Sequence, residues 1–550
     1  MKRRIYLPIL LLFFNLFLVN TSLSASVTFC NPDLGATDKA KIELGKQKLY
    51  SGRFKAALAV FQEVLNDNPN DGVPIYYMAE THFKLNEIEK AVELLKKGKE
   101  CPNPKNDNFF LLGKIYLQDG MIDEALNEFN SFKSKASNRE LEETDVDVLI
   151  SHCNNYKSLS PKQANVEVKN LGEAINSKYD DVTPSISADG HVLVFNSRRP
   201  ETTDAPTDVE GDGKFFQDIY ISHFDTVSKN WEDAGPVPGQ VNTEGAHDAC
   251  TGISPDGKQI YIYKNDLNDP ESRGGDIFIS KVNNNKWKTP EPLGKPINTS
   301  YWEGGACISP DGKTIYFTSE RQGGMGRSDI WMSTKKTKTE WNKPVNLGEV
   351  INTPFDEVGI FLAPDGKTMF FCSNGQASMG SYDIFRTRFE NGKWSKPENL
   401  GYPFNTERRD GPLVLSADAK KAYIASDRKG GLGEGDIYVI DLKDYALLET
   451  DFKVKQNNGL SILKGMVRDG FEGKGMEGVE ISILSESGEK IANTLTNENG
   501  EYFITLKGNT MYEVKVEKKD FKPVSEKVNL LMGKGIETFT LEKQFLMDKK

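Results

Sequence analysis

Cysteine and histidine are scarce in this 550-residue chain, and several chemistries are missing with them. Six cysteines cannot build a dense disulfide scaffold, and none stand in Cys-x-x-Cys spacing, so neither a zinc ribbon nor thioredoxin-type chemistry is expected. The five histidines, His82, His152, His191, His223 and His247, form no His-Glu-x-x-His pair. No Gly-x-Ser-x-Gly elbow is present. The nearest stretch, Gly252-Ile253-Ser254-Pro255-Asp256-Gly257, is a hairpin turn by its Pro-Asp-Gly. Basic residues are outnumbered, 69 Lys and Arg against 80 Asp and Glu, and the net charge of −11 argues against the basic face that nucleic acid requires. A mean hydropathy of −0.52 excludes a multispan membrane protein. At about 150 residues per domain, the length predicts three or four domains.

One apolar run does exist, at the amino terminus. Lys2, Arg3 and Arg4 precede Ile5 to Val19, and small and polar residues follow to Ala25. This pattern predicts a secretory signal peptide over 1–25, and hence no transmembrane span after cleavage. The alternative, an uncleaved anchor, is opposed by Pro8, Asn15 and the shortness of the run. Cys30 follows Phe29 rather than a small residue, so lipidation is not expected. The remainder of the chain is expected in the periplasm or outside the cell, possible outer-membrane association included.

Residues 38 to 139 carry a 34-residue period. Gly45, Ala79 and Gly113 fall in register, as do Ala57, Ala91 and Ala125, then Phe61, Leu95 and Phe129. Small residues at the first two positions let paired helices approach, and the large third residue fills the groove. Pro69 marks the end of one hairpin, and a further helix, Arg139 to Tyr156, is expected to close the stack. The pattern Leu44-Gly45…Ala57…Phe61…Pro69 resembles the tetratricopeptide repeat, although Lys48 stands where an aromatic is usual. The resemblance implies an α-solenoid over 36–158, serving either as a groove for a partner's peptide or as a spacer.

A second period fills the middle. Asp189-Gly190, Asp256-Gly257, Asp311-Gly312 and Asp365-Gly366 recur, with Asp418-Ala419 as a degenerate fifth. Asp-Ile pairs follow at Asp218, Asp276, Asp329, Asp383 and Asp436, spaced 58, 53, 54 and 53 residues apart. Trp231, Trp287, Trp341 and Trp394 keep the same beat, and a phrase such as Leu347-Gly348-x-x-Ile351-Asn352 ends each unit. Each unit reads as short strands around a Pro-Asp-Gly turn, and radial repetition of such units predicts a β-propeller. Val166 to Leu171 would pair with the last unit, around Asp436 to Asp441, and close a five-bladed ring; a divergent sixth blade remains open. The Pro-Asp-Gly-Lys turn before an aromatic strand resembles the PD40, TolB-like propeller repeats, over 162–446.

The acidic residues are expected to be structural. Asp208-Val209-Glu210-Gly211-Asp212-Gly213 looks like the start of a calcium loop, but the twelfth position is Ile219, not a glutamate. The Asp of each Asp-Ile pair is read as a turn-capping acceptor and the tryptophans as packing between units. Cys250, Cys307 and Cys372 fall in strands and are read as buried thiols. No catalytic, cofactor or metal residue is assigned.

From Leu463 the pattern becomes short alternating strands with Asn-Gly turns, including Gly478-Val479-Glu480-Ile481 and Asn499-Gly500-Glu501-Tyr502. It resembles the carboxypeptidase regulatory-like, transthyretin-like sandwich, over 460–543. The expected fold class is therefore multidomain α plus all-β: helical solenoid, five- or six-bladed propeller, small β-sandwich. This order resembles the PorE-like, OmpA-family envelope proteins of the Bacteroidetes. The resemblance implies a non-catalytic periplasmic scaffold whose partners are envelope or secretion-machinery proteins, as in type IX secretion. In that family an OmpA-like domain follows and holds peptidoglycan; here the sequence stops at Lys550, so peptidoglycan binding is not carried over. A glycan-binding alternative would need exposed aromatic and acidic groups together, with Tyr301, Trp302 and Glu303 as the best candidates. A hydrolase or lyase is the least favoured reading.

Overall fold

The computed structural model describes residues 36–550, except 203, 209–212, 255, 265–274, 284–285, 310–311, 338–339, 418, 443–444, 449–459, 509 and 531–538. The expected signal peptide at 1–25, Cys30, Asp311, Asp418 and residues 209–212 of the calcium-like segment lie outside the described residues.

Eight helices lead the described chain: α1 (Ala36–Tyr50), α2 (Phe54–Asp67), α3 (Gly72–Lys84), α4 (Ile88–Lys99), α5 (Asp107–Gln118), α6 (Ile122–Lys135), α7 (Asn138–Glu143) and α8 (Val146–Leu159). The first six pack as three consecutive pairs. Their seam is matched in size. A Cβ on Gly45 would lie 2.3 Å from the Phe61 ring, and one on Gly113 would lie 2.7 Å from Phe129. The middle pair uses Ala79 and Leu95, both fully buried, so the extra methyl faces a smaller partner. The single closing helix expected over 139–156 is two helices. Ser137 and Glu140 form a capping box that starts α7, and Thr144 turns extended, its hydroxyl bonding back to the Glu140 carbonyl at 2.8 Å.

The β-rich region begins with Val168–Asn170, followed by five antiparallel sheets. Their first strands are Asp181–Ile186, Asp248–Ile253, Glu303–Ile308, Glu357–Leu362 and Asp410–Leu415. The second strands are Val192–Ser197, Gln259–Lys264, Thr314–Ser319, Thr368–Ser373 and Lys421–Ser426. The third are Asp218–Asp225, Asp276–Asn283, Asp329–Thr334, Asp383–Glu390 and Asp436–Asp441. β-branched and aromatic residues dominate them, as in Thr314-Ile315-Tyr316-Phe317-Thr318, which suits a half-buried pleated surface. Each first strand slips register just after its opening acid, a bulge that bends it there.

First strands adjoin one another in a closed cycle: first with second, second with third, and so on, and fifth with first. The cycle is sealed by chain ends distant in sequence. Val168–Asn170 pairs antiparallel with Asp436–Asp441, Val168 opposite Ile440.

The last described unit stacks two four-stranded sheets. Leu460–Asp469, Glu501–Lys507, Phe539–Glu542 and Phe545–Met547 make one; Glu480–Leu484, Lys490–Leu495, Met511–Glu517 and Val524–Asn529 make the other. They enclose one core containing Val467, Ile481, Tyr502, Val514 and Phe545. Among the described residues no helix is long and apolar enough to cross a membrane.

Candidate functional site

The repeated glycines and acids of the sequence fall at separate, equivalent places, one per sheet. Gly190, Gly257, Gly312 and Gly366 hold φ between 65° and 72° in the hairpin turns joining first to second strands. In the degenerate fifth turn Ala419 takes the same left-handed conformation, φ 54°. Asp256 accepts from the Ser254 hydroxyl at 2.5 Å, and Asp365 from the backbone of Lys367 and Thr368 at 2.9 and 2.8 Å. These are turn-stabilising contacts.

The Asp of the Asp-Ile pairs opens each third strand. Asp329 accepts from Met325 and Gly326 backbone at 2.6 and 2.9 Å and from the Asn346 side chain at 2.8 Å. Asp383 accepts from Met379 backbone and Asn399, both at 2.6 Å. Asp436 repeats the pattern with Leu432, Gly433 and Asn170. The equivalent loop before Asp276 lies outside the described residues. Trp287 and Trp341 are buried, whereas Trp231 and Trp394 are half-buried. All four serve contacts between sheets. Trp231 sits edge-on to Tyr423 of the fifth sheet and Trp394 to Tyr316 of the third; Trp287 joins the cluster of Val194, and Trp341 that of Tyr261.

Two sets of residues organise the polar interior, one that the sequence marked as a phrase without showing its role and one that sequence patterning missed. The first is the asparagine of the Ile-Asn phrase. Asn352 accepts from the Ile330 N–H at 2.8 Å and donates to the Ile330 carbonyl at 3.0 Å, clamping both backbone groups. Asn242 does this for Ile219, Asn298 for Ile277, Asn405 for Ile384, and Asn176 for Ile437. The last clamp ties the start of the β-rich region to its end.

The second set is the opening acid of each first strand: Asp181, Asp248, Glu303, Glu357 and Asp410, all with no exposed surface. A Thr or Ser upstream donates to each, as does the Ser ending the second strand in the third, fourth and fifth sheets. A buried carboxylate also calls for a cation. Arg199 serves Asp181 at 2.6 Å, Lys264 serves Asp248 at 2.8 Å, Arg321 serves Glu303 at 3.2 Å and Arg428 serves Asp410 at 2.9 Å. The signal was legible as Ser-x-Arg at Ser197-Arg198-Arg199, Ser319-Glu320-Arg321 and Ser426-Asp427-Arg428. The fourth sheet breaks it, with Gly375 at the arginine's place. Burial then pushes Glu357 up to about 8.

That gap is where the helical array docks. His152 Nε2 of α8 lies 2.8 Å from the Gly375 carbonyl, and the Asn155 amide donates to the carbonyls of Gln376 and Ser378 at 2.7 and 2.8 Å. Burial drives the His152 pKa down to about 4, outweighing the backbone contacts at Gly375 and Asn374 that favour the charged ring, so the imidazole is neutral at pH 7. Met379, in this loop, is fully buried; its counterparts Met325 and Leu432 are 46% and 45% exposed. Nearby, Asp119 meets Arg408 at 3.5 Å and Lys429 at 3.3 Å. The sandwich docks at the other end of the strands, against the Asp-Gly turns. Lys258 pairs with Glu501, Lys288 with Glu498 at 3.5 Å, and Lys464 with Asp189 at 3.7 Å.

Cavities lie at both contacts. One, about 80 Å³, is enclosed by first strands of all five sheets, with Ile253, Ile308, Phe361 and Leu415, and by Thr505 of the sandwich. It is apolar and has room for only a few waters. The other, about 290 Å³, lies between the helical array and the β-rich region. Tyr301 and Trp302 are half-buried, but Glu303 is enclosed by Thr299, Ser319 and Arg321, so that trio cannot present an acid to a glycan. Among the described residues no group of three or more His, Cys, Asp or Glu is disposed to hold a metal ion. Cys250 and Cys372 are buried and Cys307 is partly so.

Residues 48–101 match the tetratricopeptide repeat family, and residues 462–542 match the carboxypeptidase regulatory-like domain family. No curated protein shows significant similarity to the chain. Among solved structures it is similar to the Yersinia enterocolitica type III secretion chaperone SycD in complex with a peptide of the translocator YopD. That likeness has 18% identity over 23% of this chain and 99% of that one, with a TM-score of 0.21. It is also similar to 3-chlorocatechol 1,2-dioxygenase from Rhodococcus opacus 1CP, at 12% identity over 16% of this chain and TM-score 0.14. The chain spans 60% of that dioxygenase's length. Such low scores carry no statement about function.

Proposed function

We propose that this protein is a non-catalytic periplasmic scaffold that holds partner proteins in the cell envelope. The observation that carries the reading is where the repeated polar residues go. In the β-rich region the asparagines, the opening acids and their cations bond to one another and to backbone, and build shape. Tetratricopeptide repeats support protein partners, because stacked hairpins expose a continuous side-chain surface for them. We read the five sheets as blades of a PD40-type propeller, closed by Val168–Asn170, and residues 1–25 as the export signal. The order of units supports placement among PorE-like, OmpA-family envelope proteins, with a type IX secretion component as the finer assignment. Glycan binding has no support from Glu303, and neither cofactor nor catalytic residue is part of the proposal.

The test is photo-crosslinking of the full chain in intact envelopes, with the crosslinker at Leu44, Tyr50 or Phe471, which are 45%, 53% and 97% exposed. A specific protein adduct from at least one position is expected. Uniformly background labelling, or turnover of peptide or polysaccharide by the purified chain, overturns the scaffold reading.

A further inference from the structure

The loop between second and third strands has the same length in the third and fourth sheets and nearly the same sequence. Ser319-Glu320-Arg321-Gln322-Gly323-Gly324-Met325-Gly326 matches Ser373-Asn374-Gly375-Gln376-Ala377-Ser378-Met379-Gly380, and the methionine N–H is tied to the Asp four residues on at 2.6 Å in both. Each sheet later continues into the same phrase, Lys-Pro-x-Asn-Leu-Gly, at 343–348 and 396–401. Of these two copies, the fourth is covered. His152, Asn155 and Leu159, at i, i+3 and i+7, share one side of α8, while Val146, Leu149, Cys153 and Tyr156 pack into the helical core. Asn155 fills the carbonyls of Gln376 and Ser378. Leu159 Cβ lies 4.0 Å from the place of a Cβ on Gly401, and the Ala164 N–H beyond it donates to the Tyr402 carbonyl at 2.9 Å. Met379 and Pro403 are buried there. In the third sheet the corresponding surface is open. Met325 and Val350 are 46% and 47% exposed, and a Cβ on Gly348 would meet nothing within 4 Å. Among the described residues no group donates to the Gln322 or Gly324 carbonyl. Glu349, which stands in the place of Tyr402, is exposed and forms no ion pair with a described residue.

We propose that the third-sheet loop is a docking seat for an amphipathic helix of a partner protein, bound as α8 binds the fourth. A side-chain amide of that helix donates to the Gln322 and Gly324 carbonyls. Its apolar side chains cover Met325, Gly348 and Val350, and a basic side chain beyond them meets Glu349. The occupant is argued from the repeat itself: the chain already seats a helix of this kind one sheet away, at the same end of the strands, so the open surface continues an existing interface. The two seats differ in depth. The third sheet keeps Arg321 in its internal network where the fourth has Gly375, so the contact made by His152 has no counterpart. Fewer bonds hold the incoming helix, which suits a partner that comes and goes. The proposal deepens the scaffold reading and rests on it.

The probe is a fluorescein-labelled, hydrocarbon-stapled helical peptide with Ala, Asn, Leu and Lys at i, i+3, i+7 and i+11 and with Gln and Ala elsewhere; the staple is needed because a short helix is marginal alone in water. A second peptide carries Asp for Asn, which cannot donate and sets a carboxylate against two carbonyls. Both are titrated into the full chain at pH 7 and read by anisotropy. The Asn peptide is expected to bind at least about tenfold tighter than the Asp peptide. Met325→Asp should weaken it by about tenfold or more, and Glu349→Gln by about threefold. Leu432→Asp, at the equivalent exposed position of the fifth sheet, should leave it unchanged. No binding of the Asn peptide, equal affinity for the two peptides, or full affinity in the Met325→Asp protein overturns the seat. So does faster amide exchange at 375–378 on adding peptide, which would mean that the peptide displaces α8 from the fourth sheet. Envelope crosslinks that persist without peptide binding remove this seat and leave the scaffold standing; peptide binding without envelope crosslinks does the reverse.

Discussion

The third and fourth sheets are near copies that differ at one telling position. Both open on a buried glutamate held by a threonine four residues upstream and a serine at the end of the second strand. Both clamp an isoleucine backbone with an asparagine. In the third sheet Arg321 neutralises Glu303 and also donates to the carbonyls of Pro296 and Ile297. In the fourth, Gly375 leaves Glu357 without a cation and frees the loop backbone for α8. One repeat gives up part of its internal network and gains a neighbour. A repeat family thus makes a specific docking site by deleting a side chain, and the deletion is tolerable because a carboxyl can stay protonated where an arginine is missing.

The largest way to break the comparison is at the arginine. Arg321→Ala strands a buried carboxylate and is expected to destabilise by about 3–5 kcal/mol in urea unfolding. Glu357→Gln at pH 7 should change stability by less than about 1 kcal/mol, because it replaces a protonated acid with a neutral isostere. Equal effects at the two sites would erase the distinction.

Gly375→Arg grafts the third sheet's residue into the fourth. Its Cβ would lie 3.3 Å from the Phe355 ring, and Phe355 walls the cavity beside α8. The α8 contacts are expected to weaken by about 2–3 kcal/mol, one for each of the hydrogen bonds from His152 and Asn155. Faster amide exchange at 375–378 with an unchanged third sheet is the readout. A similar comparison holds within the helices. Gly113→Ala should cost about 1–3 kcal/mol by pressing on Phe129, and a second change, Phe129→Leu, should recover much of it by recreating the Ala79–Leu95 pairing.

Glu357 sharpens the contrast through pH. Its folded value, about 8, lies above the usual 4.5, so the folded state binds the extra proton. Stability from this group is complete below about 4.5, falls as pH rises, and is gone beyond about 8. Glu357→Gln should flatten that slope in melting temperatures taken from pH 5 to 9. The smallest effect belongs to the degenerate turn. Ala419 holds φ 54° where the other turns use glycine, so Ala419→Gly is expected to add up to about 1 kcal/mol.

Much of this was legible in the chain. The 34-residue beat located the helix pairs, and the Asp-Gly turns and Asp-Ile pairs located the strands, because both periods are set by local backbone needs. The opening acids were overlooked for a physical reason. They are four or five residues from their Thr or Ser but sixteen to eighteen from the Ser and Arg that complete the contact, and only strand pairing brings these together. Arg139 to Tyr156 read as one helix because its break depends on a side-chain cap rather than on a proline or glycine.

By itself the sequence determined the kinds of unit, their order and their turn positions, since spacing and residue type act over a few neighbours along the chain. Which ends met was decided in three dimensions. The pairing of Val168 with Ile440 and the seat of α8 on a missing arginine join residues far apart in sequence. Such contacts form only when whole faces pack and each buried polar group must find a partner or stay neutral.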